Sequence, residues 1–161
     1  MVDLAIHFSG AAALVREKRF LSSQNVDDIV GPARPLPAES QAWGALLERL
    51  PEEVRSSPCR RLYVGSEFCP YLTMDKAELE EVLAAAQRGS FSVTLVLPVL
   101  DETTLPTTVS TVVELAESMN DFEVVANDWG TVAELAHTGV TVSAGRFLFK
   151  MKRLPRVGRD T

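Results

Sequence analysis

The chain has 161 residues, enough for one domain and short for two. Hydrophobic residues make up 46% and charged residues 24%, which predicts a packed core and excludes a wholly disordered chain. The formal net charge of -6 argues against general nucleic-acid binding.

No apolar run approaches the ~20 residues of a membrane span. The start, Met1-Val2-Asp3-Leu4, lacks the basic and long apolar regions of a secretory signal. Cys59 and Cys69 make no disulfide framework, so a reducing cytoplasm is the expected compartment.

In chain order, Val2 to Phe8 can form a short strand, and Ala11 to Leu21 has helical composition. Residues 31–37 read Gly-Pro-Ala-Arg-Pro-Leu-Pro, and prolines at this density break both helix and strand. The expected organisation is a poorly defined or helical N-terminal segment over 1–37, ending in this linker, and a folded unit over 38–161. A helix is expected from Glu39 to Leu50. Trp43, Leu46, Leu47 and Leu50 fall on one stripe, Ser40 sits near the start and Pro51 stops it.

From Arg61 the pattern turns periodic. Arg61 to Gly65 is a short strand ending in glycine. Asp75 to Arg88 is a helix, opened by Asp75 with Glu78 three residues on and closed by Gly89. Phe91 to Val99 is a nearly continuous apolar run, as expected of a strand covered on both faces. Thr107 or Thr108 can cap a helix running to Met119. Phe122 to Ala126 is the next strand, a helix capped near Asp128 runs to His137, and Val140 to Ala144 is a further strand.

The strands start roughly 30, 30 and 20 residues apart, the spacing of β-α-β units with parallel strands. The fold class is therefore α/β, with about four parallel strands. A flavodoxin-like open sheet and part of a TIM-type (β/α) barrel both fit. No Gly-x-Gly-x-x-Gly or Walker loop follows a strand, which removes the signature of nucleotide-binding open sheets. A whole barrel usually takes ~250 residues, so only part of one fits here.

Ligands of parallel α/β folds sit at the C-terminal strand ends. That rule selects Glu67 and Cys69 after the first periodic strand, Asp101 after the second, Asn127 and Asp128 after the third, and Arg146 after the fourth. Glu67 and Asp128 are candidates for acid–base work, Asp101 and Asn127 for binding substrate, and Arg146 for an anion or carboxylate. The plain alternatives are a solvated Glu67, a polar loop at Asp101 and a helix N-cap at Asp128. Cys69 can hold a metal or act as a nucleophile, or it can be an inert packed thiol. Cys59 lies ten residues earlier, so there is no Cys-x-x-Cys metal hook. The basic tail of Lys150, Lys152, Arg153, Arg156 and Arg159 can meet RNA, phosphate or anionic lipid, or act as a solvated connector.

Leu62-Tyr63-Val64-Gly65-Ser66-Glu67-Phe68-Cys69, the strand Val93 to Pro98, Phe122 to Gly130 with its Asn127-Asp128-Trp129-Gly130 turn, and Val142-Ser143-Ala144-Gly145-Arg146 together resemble the collagenase-like peptidase family, peptidase family U-thirty-two. The resemblance covers residues 60–153 and is nearest to the UbiV-type accessory proteins of oxygen-independent ubiquinone hydroxylation.

The resemblance implies the barrel rather than the open sheet, with Cys69 in the place of a first iron–sulfur ligand. A 4Fe-4S cluster takes about four ligands, so the others would have to come from a partner or a missing half. The expected function is that of a shortened family member, catalytically incomplete alone, with hydroxylation support or peptide hydrolysis as the inherited chemistry. The alternatives are a non-enzymatic interaction module or subunit completed by a second chain or a homo-oligomer, and a metal-dependent binder using Glu67, Asp101 and Asp128.

Overall fold

Five strands form a single parallel sheet in the computed structural model, which describes residues 4–8, 48–119 and 121–149. They are β1 (Leu4–Phe8), β2 (Cys59–Gly65), β3 (Ser92–Val96), β4 (Phe122–Ala126) and β5 (Thr141–Ala144). Among the described residues the connections carry α1 (Glu52–Arg55), α2 (Lys76–Arg88), α3 (Leu105–Glu117) and α4 (Trp129–Leu135). Within the described residues no helix is long and apolar enough to cross a membrane.

The strand order is β1-β2-β3-β4-β5, so every strand pairs with its successor. A flavodoxin-like sheet reverses its winding after the first strands, and this one does not. Successive crossovers of one hand put all their helices on the same face. Leu4–Phe8, within the short strand expected over Val2 to Phe8, joins the sheet beside β2 as a fifth strand, with a register shift between Leu4 and Ala5. The expected linker and the boundary at 37/38 lie outside the described residues. So does most of the helix expected over 39–50, of which Glu48 and Arg49 are helical.

Alternation along each strand divides the sheet into two faces. Leu62 and Val64 on β2 pair with Val93 and Leu95 on β3, which pair with Phe122 and Val124 on β4. These side chains are buried in one cluster with Leu79, Val82, Leu83 and Ala86 of α2, Val112 and Leu115 of α3, and Leu135 of α4. Each buried Val, Leu or Phe contributes about 1.5–3 kcal/mol, so this face carries most of the cohesion. The residues between them, Arg61, Tyr63, Ser92, Thr94, Glu123, Val125, Thr141 and Ser143, occupy the opposite face, which is helix-free among the described residues.

Helix ends follow local chemistry. Asp75 accepts the Glu78 amide at 2.8 Å while Glu78 Oε2 accepts the Asp75 amide at 3.1 Å, the reciprocal pairing expected from the sequence. Gly89 caps α2, but the positive φ of 57° that turns the chain falls on Ser90. The start of α3 is corrected. Neither Thr107 nor Thr108 caps it. It begins at Leu105, because Pro106 fits the first turn, where no amide donor is needed. The apolar run expected over 91–99 is a shorter strand, Ser92–Val96.

Candidate functional site

The C-terminal strand ends share one pole because all five strands run the same way. Gly65 closes β2 with φ of 117°, and an added Cβ would stand 2.2 Å from the Val96 carbonyl oxygen, so a side chain has no room. Its own carbonyl oxygen lies 2.8 Å from His7 Nε2. The Ser66 hydroxyl accepts the Cys69 amide at 3.2 Å and turns the chain.

Glu67 and Arg146 meet across this pole. Arg146 Nη2 donates to Glu67 Oε2 at 2.7 Å, and the guanidinium sits 4.6 Å from the Phe68 ring centroid. The Phe68 ring meets Phe147 edge-on, with centroids 5.3 Å apart. An ion pair, a cation–π contact and an aromatic pair thus join the ends of β2 and β5.

Asn127 is buried beneath this knot. Its Nδ2 donates to the Leu97 carbonyl at 2.8 Å and its Oδ1 accepts the Phe147 amide at 3.2 Å. Gly145 allows the approach, since a Cβ there would stand 2.2 Å from Asn127 Oδ1. Asn127 therefore ties the ends of β3 and β4 to the segment after β5.

Two further carboxylates of this pole are bonded to their own loops and helix starts. Asp128 Oδ1 accepts the Thr131 amide at 2.7 Å, and Oδ2 accepts the Thr131 hydroxyl at 2.8 Å and the Leu100 amide at 3.1 Å. It caps α4 and fastens the loop after β3 to it. Asp101 Oδ1 gathers the hydroxyls and amides of Thr103 and Thr104 at 2.7–3.0 Å. The Thr103 hydroxyl, followed by the Thr104 amide and hydroxyl, draws its carboxyl down to about 2.

Cys69 is half-buried on the same pole. Cys59 is buried at the opposite end of β2, where its Sγ donates to the Arg61 carbonyl at 3.6 Å. Among the described residues no group of three or more His, Cys, Asp or Glu side chains is placed to hold a metal ion. The thiols present do not fit an iron–sulfur cluster, because the two stand at opposite ends of a seven-residue strand.

A second constellation lies on the helix-free face, and the strand-end rule passes over it. Arg61 Nη2 donates to both oxygens of Asp121, at 3.0 and 2.9 Å. Its Nη1 donates to Thr94 Oγ1 at 3.0 Å and to Glu123 Oε2 at 3.3 Å. Thr94 also donates to Glu123, the Ser92 hydroxyl to Asp121, and the Ser143 hydroxyl to Glu123. The Ser92 hydroxyl and then the Arg61 guanidinium hold the Asp121 carboxyl below the ordinary carboxylate range. Polar residues at every second position, Ser92 with Thr94 and Thr141 with Ser143, were the available signal.

Between α2 and α3 an apolar cleft of about 260 Å³ opens beside the ends of β2 and β3. Met74, Leu79, Leu95 and Val112 line it, with the Thr107, Thr108 and Thr111 side chains. Lys76 pairs with Glu114 across the gap between the helices. That hydrogen bond raises the Lys76 ammonium above its ordinary value. Comparison with protein-family models, curated proteins and solved structures found no match to this chain.

Proposed function

We propose that this chain is a barrel half, a (β/α) module of the collagenase-like peptidase kind whose helix-free face becomes an interior when further strands cover it. The observation that carries the reading is Arg61, which reaches from β2 across β3 to Asp121 and Glu123. Polar side chains knit across several strands, on a face where the described residues place no helix, suit a lined interior better than an outer surface.

Three further observations support it. The strand order is sequential, as in barrels. Glu67 and Arg146 meet although a flat sheet would hold the ends of β2 and β5 about 14 Å apart, and a curled sheet shortens that span. The family-like strand ends, Gly65-Ser66-Glu67 and Ala126-Asn127-Asp128, stand together on the pole that would be the mouth. There the exposed Arg146 would meet a ligand, above the buried Asn127. Peptide hydrolysis or hydroxylation support would belong to the completed barrel, since the carboxylates here are engaged in loop and helix contacts.

The proposed completing unit is a second copy of this chain. A two-fold axis along the barrel would set β1 of one copy beside β5 of the other in parallel, twice over, closing ten strands where a TIM barrel has eight. Among the described residues both outer edges lack a partner strand. Sedimentation equilibrium of the whole chain tests this. A dimer is expected, weakened by Arg61→Glu. A monomer at every concentration would refute it.

A further inference from the structure

Beyond that reading, and independently of it, the helix layer carries a site of its own. The apolar cleft between α2 and α3 has a volume of about 260 Å³ and opens beside the ends of β2 and β3. A cavity of about 150 Å³ holds benzene, and pockets for drug-sized ligands start near ~300 Å³. The cleft therefore suits a molecule of roughly six to ten non-hydrogen atoms.

Four buried side chains, Met74, Leu79, Leu95 and Val112, line it. Among the described residues no aromatic ring does. A planar ring would find no stacking partner there, whereas an alkyl chain can pack along the unbranched Met74.

The polar groups of the lining are of two kinds. Those that carry charge are already matched. Asp75 accepts the Glu78 amide at 2.8 Å as the cap of α2, and the Lys76 ammonium is paired with Glu114. A charged ligand would meet no unpaired counter-charge. The hydroxyls are not matched. Thr108 and Thr111 line the cleft from α3, three residues apart and so on one helix face. Both are half-buried, and among the described residues neither hydroxyl has a hydrogen-bond partner. Ser118, at the end of the same helix, shows the usual alternative: its hydroxyl donates to the Leu115 carbonyl at 2.7 Å. A threonine hydroxyl can both donate and accept, which matches a ligand hydroxyl.

We propose that this cleft binds a small uncharged aliphatic alcohol, with its chain among Met74, Leu79, Leu95 and Val112 and its hydroxyl between Thr108 and Thr111. Apolar burial supplies the affinity and the threonine pair supplies the orientation. The site lies on the helix-covered side of the sheet, so it does not depend on a second copy closing the barrel.

Titration of the isotope-labelled whole chain with hexanol tests the proposal, read as amide shifts by nuclear magnetic resonance. Saturable shifts are expected within residues 74–79 and 107–112, with a Kd of about 1 mM. Butanol, shorter by two methylenes, should bind about tenfold more weakly. Thr108→Val with Thr111→Val keeps the side-chain shape and nearly the same helix propensity. It should weaken hexanol binding about tenfold with circular dichroism unchanged. Absence of shifts at the cleft in about 10 mM hexanol overturns the proposal, as does equal binding of hexanol and butanol. Tighter binding of hexanoate than of hexanol overturns the uncharged class. Undiminished hexanol binding by the doubly substituted chain overturns the role of the threonine pair.

Discussion

The two faces of the sheet are held by different physics. On the helix-covered face, Leu62, Val93, Leu95 and Val124 meet α2, α3 and α4 in a continuous apolar cluster. On the helix-free face, Arg61, Thr94, Asp121, Glu123 and Ser143 bind one another through directed hydrogen bonds. Apolar packing is strong and tolerant of direction. A polar network contributes little net stability, but fixes which strands lie together and at what register. The difference teaches that this sheet is stabilised from one side and specified from the other.

The largest expected effect lies on the packed side. Leu95→Ala removes a buried side chain between α2 and α3 and should cost about 2–5 kcal/mol, measured by urea denaturation. On the network side, Arg61→Met leaves Glu123 and Thr94 short of a donor and should cost about 1–3 kcal/mol. A double-mutant cycle with Glu123→Gln should return coupling between the two. If Arg61→Met proved as costly as Leu95→Ala, the division of labour would fail. Asp128→Ala removes the α4 cap and the tie to Leu100, a loss of about 1–2 kcal/mol.

The smallest effect is acid sensitivity. Asp101 and Asp121 are both held below their unfolded values in the folded chain. Groups shifted down stabilise the fold above their unfolded value of about 4 and lose that contribution as pH falls through the folded value. For Asp101 the window therefore runs from about pH 4 down to about 2. Thermal midpoints measured across it should fall, and Asp101→Asn should flatten the decline. An unchanged slope would show that the Thr103 and Thr104 bonds do not persist in solution.

The alternating strands and helices, the Asp75–Glu78 capping pair and the apolar stripe of α2 were legible because each is written in local spacing. The candidate residues of the C-terminal pole were legible as positions and not as partnerships. Glu67 and Arg146 are 79 residues apart in sequence, and nothing in either segment announces the other. Asn127 resembles any strand-end amide until Leu97 and Phe147 are seen to close on it. The Arg61 network was obscured because Ser92 and Thr94 lie within a run whose other members are apolar, so the stretch read as buried on both faces.

By itself the sequence determined the class of fold, its period and the starts of α2 and α4, because those depend on neighbours a few residues away. Only the tertiary structure decided that Leu4–Phe8 joins the sheet, that the strands follow one another without reversal, and that the aromatics of three separate segments share a pole. Each of those outcomes depends on contacts between residues distant in sequence, and local spacing carries no record of them.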